Sequence, residues 1–269
     1  MAVTAPPAMD LLEVGGRGSR SSSGIWRDTL GNLLRQRNAV FGGVVLLFFI
    51  FVAVFADVIA PYHPDEVLIG VEGVKKHAPP CIHALGCPVT QPEFYFGIDG
   101  NVRDVFSRVV HGTRVSLRIG FLTVGFAIAI GGLIGALAGY AGGKLDNLLM
   151  RIMDVLLAFP SLLLAIAIVT VLGSGLLNAQ LAIGIVAIPV YARIMRGSVL
   201  SIRERDFVTA SRALGESSVG LLSRRIIPNA LTPLIVQGTL GIAAAVLDVA
   251  ALSFLGLGAQ PPQAEWGSM

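Results

Sequence analysis

An all-α, polytopic membrane helix bundle is the fold class this sequence predicts, on three observations. Hydrophobic residues make up 54% of the chain and charged residues 14%, against roughly 25% charged in a soluble domain. Mean hydropathy is +0.75. Apolar runs long enough to cross a bilayer, which takes ~20 residues, fall at about 40–60, 115–140, 148–172, 176–198 and 231–257, so five spans are expected.

Residues 1–24 are rich in Ala, Pro, Gly and Ser and have little to bury, which predicts a disordered tail. From Ile25 to Asn38 the apolar Ile25, Trp26, Leu30, Leu33 and Leu34 recur at helical spacing among Arg27, Arg35 and Arg37. That pattern predicts a short interfacial helix, so 1–38 is expected to be a cytoplasmic tail and helix. The first span, 39–60, reads as a retained anchor, because its apolar core exceeds the 7–15 residues of a signal peptide and no Ala-x-Ala site closes it. Residues 61–111 carry Pro61, Pro64, Pro79, Pro80, Pro88 and Pro92, which forbid a continuous helix and predict an extracytoplasmic loop. The remainder, 112–269, is expected to form the membrane core, interrupted by a cytoplasmic segment at 201–228.

Orientation follows from the basic residues. With a cytoplasmic N-terminus, Arg17, Arg20, Arg27, Arg35, Arg37, Lys144, Arg151, Arg193, Arg196, Arg203, Arg205, Arg212, Arg224 and Arg225 all fall inside, a majority of the 20 Lys and Arg. Outside, Lys75, Lys76, Arg103, Arg108, Arg114 and Arg118 are offset by acidic neighbours. The net charge of +3 thus reports membrane topology, and it gives no support to nucleic-acid binding, which needs basic residues interleaved with exposed aromatics. In the second span Gly131, Gly135 and Gly139 share one helix face, the spacing that lets a neighbouring backbone approach where lipid supplies no hydrophobic drive. Packing within the chain is the expected use.

Chemistry of its own is not expected. A phosphate-binding loop needs Gly, four residues, Gly-Lys and Ser or Thr, whereas Gly143-Lys144 has Ala138 before it and Leu145 after it. The four histidines and both cysteines lie in or at the edge of the 61–111 loop, so no intramembrane catalytic set exists. Cys81 and Cys87 are candidates for a disulfide, with free thiols or a metal site including His77 and His83 as the other readings. Asp154 lies one turn after Arg151, and an i, i+3 ion pair is expected. Asp248 has no basic neighbour in its own helix, so it either lines a substrate path or pairs with a partner subunit.

Four segments carry a family resemblance. In Asp206-Phe-Val-Thr-Ala-Ser-Arg-Ala-Leu-Gly215, continuing to Pro228, the residues Ala210, Gly215 and Pro228 match a Glu-Ala-Ala, three residues, Gly, dozen residues, Pro pattern. Thr209 and Ser211 replace the Glu and the second Ala. Gly97, Asp99, Arg103 and Asp104 match a Gly-Thr-Asp-x-x-Gly-Arg-Asp element, and Arg151, Asp154 and Pro160 match Met-Arg-x-x-Asp-x-x-x-x-x-Pro. Leu252 through Gly267 is very similar to Ser-Phe-Leu-Gly-Leu-Gly-x-Gln-Pro-Pro-x-x-x-Trp-Gly. On these residues, about 95–269, the chain resembles the oligopeptide, dipeptide and nickel permeases of bacterial ATP-binding-cassette importers, of the second-permease type.

The resemblance implies a type I importer permease of the inner membrane that moves short peptides by alternating access, with nickel or another small solute as the alternative cargo. It implies a second, similar permease, two ATPase subunits that bind the ATP and Mg, an extracytoplasmic binding protein, and no cofactor on this chain. Arg205, Thr209, Ala210, Ser211, Arg212, Gly215 and Pro228 would form the segment that docks on an ATPase; the alternative is a helix lying on the lipid surface. A start for that helix is offered by the capping-box spacing of Ser201 to Glu204 or by Asp206, an exit by Gly215, the next cap by Ser217 or Ser218, and a kink by Pro228. The family has six spans and this sequence five, which would put Met269 outside and keeps open a non-transporting scaffold or receptor.

Overall fold

The computed structural model describes residues 36–71, 74–267 and 269. The chain falls into two units, Met1–Phe48 and Phe49–Met269. Of the expected tail and interfacial helix, residues 1–35 lie outside the described residues.

The first described helix, α1 (Arg37–Val54), buries only Ala53, and Phe41, Leu47 and Phe51 are exposed. An apolar helix with so little protein contact has lipid as its natural surroundings. After a one-turn helix α2 (Ala56–Ile59) the chain enters the proline-rich segment, which has two isolated bridges, Cys81 with Phe94 and Ile98 with Asp104. Leu68, Cys81, Phe94, Ile98 and Val102 form a small apolar core there, and Cys81 and Cys87 are joined in a disulfide.

The segment ends earlier than the sequence suggested. Helix α3 (Val105–Ala141) starts at Asp104, whose carboxylate accepts from the Ser107 amide at 2.8 Å and the Ser107 hydroxyl at 2.6 Å. A capped helix start overrides the expectation that the loop ran to 111. Next come α4 (Gly143–Leu157) and α5 (Ser161–Leu172), bent 92° to each other. They occupy the run expected as one straight span at 148–172; Pro160, which has no amide hydrogen, stands at the break. Helix α6 (Leu176–Arg203), the short α7 (Asp206–Ala213), one turn α8 (Ser218–Gly220) and α9 (Ile227–Phe254) complete the described helices. By length and composition four helices reach span size, or five spans if α4 and α5 are counted together.

Pro228 does not interrupt the last span. Leu221–Ile226 winds as a π-helix, in which the Ile227 amide reaches the Leu222 carbonyl, and the helix runs on from Ser218 to Phe254. The wider turn just before the proline absorbs the missing donor and the ring volume.

Helices α3, α6 and α9 form the centre. A methyl built on Gly131 would stand 2.6 Å from the Ile188 carbonyl oxygen, and one on Gly139 would stand 2.9 Å from that of Arg196. One on Gly135 would collide with the Ala192 carbonyl and lie 2.9 Å from Met195 Cβ. The glycine ridge is therefore the seam where α3 meets α6 backbone to backbone. One apolar cluster, around Ile119, Ala127, Ala182, Val249 and Leu252, fills the bundle toward the proline-rich segment. Another, around Ala136, Met195, Val199, Ile226 and Leu234, fills it toward α7.

Gly135→Leu is expected to destabilise the protein by about 1–3 kcal/mol, since backbone and Cβ atoms line the contact. Gly125→Ala, on the same helix with open space around it, should be neutral or slightly stabilising. Thermal unfolding in detergent measures both, and equal midpoints would show that the seam tolerates side chains.

Candidate functional site

The segment expected to dock on an ATPase is a discrete helix held at both ends. The capping box expected at Ser201–Glu204 does not exist, because α6 continues through Ser201 to Arg203. Instead Arg205 is the N-cap through its carbonyl, which accepts from the Val208 and Thr209 amides, and Asp206 sits in the first turn, where the helix dipole favours an acid. At the other end the Gly215 amide donates to the Arg212 carbonyl at 3.0 Å and the Glu216 amide to the Ser211 carbonyl at 3.2 Å. This is the left-handed C-terminal motif that glycine favours, and Gly215 has φ +84°. Ser217, not Ser218, caps the next turn, accepting from the Gly220 amide at 3.2 Å. Glu216 accepts from Arg225 Nε at 3.1 Å.

The two faces of α7 differ. Val208 is fully buried among Val199, Ile202, Leu221 and Ile226. Arg205, Thr209, Ala210, Arg212 and Gly215 are exposed, Ser211 partly so. Phe207 is also exposed, and Leu214 is 88% and Val219 77% exposed, apolar tips with no internal partner to explain them. Pro228 is exposed nearby.

Ion pairs tie the surrounding helices together. Arg196 on α6 holds Asp146 on α4 through two bonds of 2.5 and 2.6 Å. Arg203 Nη1 donates to the Gly139 carbonyl at 2.9 Å, fixing the last turn of α6, just before α7, to α3. Asp154 pairs with Arg193 at 2.6 Å. The expected Arg151–Asp154 pair is absent: Arg151 is exposed, and the carboxylate reaches across to α6 rather than along its own helix. Neither Asp146 nor Arg196 was singled out from the sequence. The available signal was a third carboxylate, just ahead of the apolar 148–172 run, with no basic residue one turn away on its own helix.

Asp248 lies on α9 at the meeting of two small cavities. One, about 150 Å³, is lined by Thr123, Tyr191 and Gln237 among others; the other, about 160 Å³, is walled by Leu156, Phe159 and Ser161. No Lys or Arg lines either cavity among the described residues.

At the opposite end from α7, two resemblance-bearing segments meet although about 155 residues separate them. Asp99 accepts from the Asn101 and Arg103 amides at 2.8 Å and from Arg103 Nε at 3.0 Å. Arg103 and Arg108 both donate to the Pro262 carbonyl, at 3.5 and 3.1 Å, and Arg108 also donates to those of Pro64 and Gln263. Arg108, buried, is the clamp that motif matching passed over. After α9, Ser253 Oγ accepts from the Ala259 amide at 3.0 Å and the Leu257 carbonyl from Gly175, so Ser253 to Gly258 closes that helix and anchors the turn before α6.

A bundle of membrane-length helices with an anchored, apolar-tipped helix at one end and a carboxylate between its helices has the parts of a transport subunit. The comparisons agree. Residues 131–269 match the family of binding-protein-dependent transport system inner membrane components, and residues 24–80 match the N-terminal transmembrane domain of oligopeptide transport permease C. The dipeptide transport system permease DppC of Alkalihalophilus pseudofirmus is 41% identical over 249 residues, 91% of this chain and 76% of that protein. The di/tripeptide permease DppC of Pseudomonas aeruginosa is 44% identical over 234 residues, 87% and 75%. The glutathione permease GsiD of Escherichia coli is 40% identical over 244 residues, 91% and 76%. A chain of the inward-facing MetNI methionine ABC transporter matches in fold, with TM-score 0.50 and 23% identity over 56% of this chain and 76% of that one. The chain belongs to the binding-protein-dependent permease family. It is a multi-pass permease component of an ABC importer and not an enzyme; the importer's ATP is hydrolysed by other subunits.

Asp146→Ala should cost about 2 kcal/mol, below the 3–5 kcal/mol of a fully buried pair because Arg196 is one-third exposed. Asp154→Ala, which breaks a half-exposed pair, should cost under about 1 kcal/mol. Thermal unfolding of the purified complex ranks the two, and the reverse order would contradict the assignment of Asp146 as the main tie.

Proposed function

We propose that this chain is one of two permease halves of an importer in the bacterial cytoplasmic membrane, with its N-terminus cytoplasmic, and that the cargo is a short peptide. The observation that carries the mechanism is α7, anchored by Val208 and exposing Phe207 and Leu214. A helix buried on one face by the bundle and apolar on the other is a handle for a second protein, because exposed apolar side chains rimmed by charges mark interaction surfaces. The ATPase subunits hold ATP and Mg; their closure pushes on α7. Val208 and the Arg203 tie pass that displacement to α6, α3 and α9, which move as one because the glycine seam and two apolar clusters lock them together. Arg205 and Arg212 supply the polar rim, and Ala210 and Gly215 keep the contact close.

The path opens between this chain and a second, similar permease, and an extracytoplasmic binding protein delivers the cargo. Asp248 is the group placed to meet a cationic part of the cargo, since a carboxylate between apolar helices with no ionic partner among the described residues is otherwise costly. The relatives are named for dipeptides, di/tripeptides and glutathione, itself a tripeptide, which favours peptide over metal cargo.

Gly215→Leu, in the full complex reconstituted with ATPases and binding protein, should lower peptide-stimulated ATP hydrolysis and uptake together, because a branched side chain at φ +84° strains the exit by about 1–2 kcal/mol. Gly215→Asn, which tolerates that conformation, should retain most of both. Unchanged stimulation in the Leu variant would sever α7 from coupling. Asp248→Asn should reduce peptide uptake in proteoliposomes at least several-fold while the complex still assembles; uptake at the parent rate would remove Asp248 from the path.

A further inference from the structure

At the end of the bundle away from α7, α3, the start of α6 and the turn after α9 line an open cavity of about 820 Å³, within the roughly 300–1,000 Å³ of small-molecule sites. Among largely apolar walls its polar side chains are cationic or amide-bearing: Arg114, Arg118, Asn178, Gln180, Gln260 and Gln263.

The two arginines, one turn apart on α3, differ in their commitments. Arg114 is engaged, donating to Asp57 at 3.2 Å and to the carbonyls of Ala53 and Val54. Arg118 is exposed and has no hydrogen-bond or ion-pair partner among the described residues. An exposed guanidinium with no partner of its own is free to receive a ligand, and it offers paired donors that match a carboxylate. The amides select by their committed atoms. Asn178 Nδ2 donates to the Leu172 and Gly173 carbonyls at 3.0 Å, and Gln260 Nε2 to that of Gly256 at 2.8 Å, so both leave a carbonyl oxygen as the group able to meet an amide hydrogen. No acidic side chain lines the cavity. A carboxylate next to peptide N–H groups fits this set.

We propose that Arg118 receives the terminal carboxylate of the cargo in this cavity, before the cargo passes deeper. The cavity and the one that borders Asp248 are built on the same two helices without sharing a lining residue: Arg118 and Thr123 are five residues apart on α3, about 7.5 Å along the axis, and Gln180 and Ile183 lie within one turn on α6. Gly120 on α3 packs against Ile242 and Val246 on α9, so Arg118 and Asp248 lie near one another along the bundle, a cationic and an anionic group opposite in sign to the two termini of a zwitterionic peptide. The inference rests on the peptide reading of the cargo, and its test is separable from it.

Phenylglyoxal modifies arginine, and peptide mass spectrometry of the purified complex without binding protein reads the labelling of Arg118, with exposed Arg205 at the opposite end as the internal control. Dialanine is expected to slow labelling of Arg118 at least about five-fold and dialanine amide not at all, with Arg205 unaffected by either. In proteoliposomes carrying the full complex, Arg118→Gln should lower dialanine uptake about ten-fold, the worth of one lost charge-assisted contact, with Arg118→Lys in between. Equal protection by both ligands, or none, overturns the site. Protection by peptide-free binding protein assigns the carboxylate to a docking partner and overturns it too. A complex that transports dialanine with Arg118 unprotected sinks the site and keeps the cargo; one that protects Arg118 yet moves no peptide keeps the site and sinks the cargo.

Discussion

Close approach of α3 and α6 along Gly131, Gly135 and Gly139 is the contact on which the remaining arrangement depends. Between helices in lipid there is no water to expel, so association must come from van der Waals contact and polar ties. The ridge brings the α3 backbone against the carbonyls of Ile188, Ala192 and Arg196, a distance that any side chain would prevent. With that spacing set, Arg203 reaches the Gly139 carbonyl, and Thr123 and Tyr191 come to wall one cavity with Asp248.

The polar ties then divide the labour between the two ends. Toward α7 the ties run between helices: Asp146 to Arg196, Asp154 to Arg193, Arg203 to α3. They join α4 and α3 to the helix that leads into α7, so a push there is shared rather than dissipated in a hinge. At the other end, Arg103 and Arg108 bind the carbonyls around Pro262, tying the proline-rich segment to the chain that follows α9. Rigid ends with cavities between them suit the proposed role, in which the subunit rocks as a body.

Small, partly polar cavities along one line are the other consequence. Helices packed on a glycine seam leave little room at the seam itself and more beside it, where Thr123, Gln180 and Asp248 stand. Polar groups at such depth persist when they serve something that passes.

Composition and local pattern alone determined a great deal here. The apolar runs announced the spans, because bilayer thickness is a length that sequence must match; the glycine spacing announced a packed face; Gly215 announced a helix exit, because few other residues adopt its backbone angles; and the motifs in 95–269 announced the family. The tertiary structure alone decided which charges meet. Asp154 chose Arg193 over Arg151, and Asp146 found Arg196 fifty residues away, because partners across a helix interface depend on helix rotation and depth, which no local spacing encodes. It also decided that α4 and α5 bend at Pro160 while Pro228 is absorbed by a π turn, since a proline breaks a helix or merely widens it according to what packs around it. Val208 as the anchor of α7 was hidden for the same reason: an isolated valine in a polar helix acquires its meaning only from the side chains of α6 and of the Leu221–Ile226 π turn that close over it.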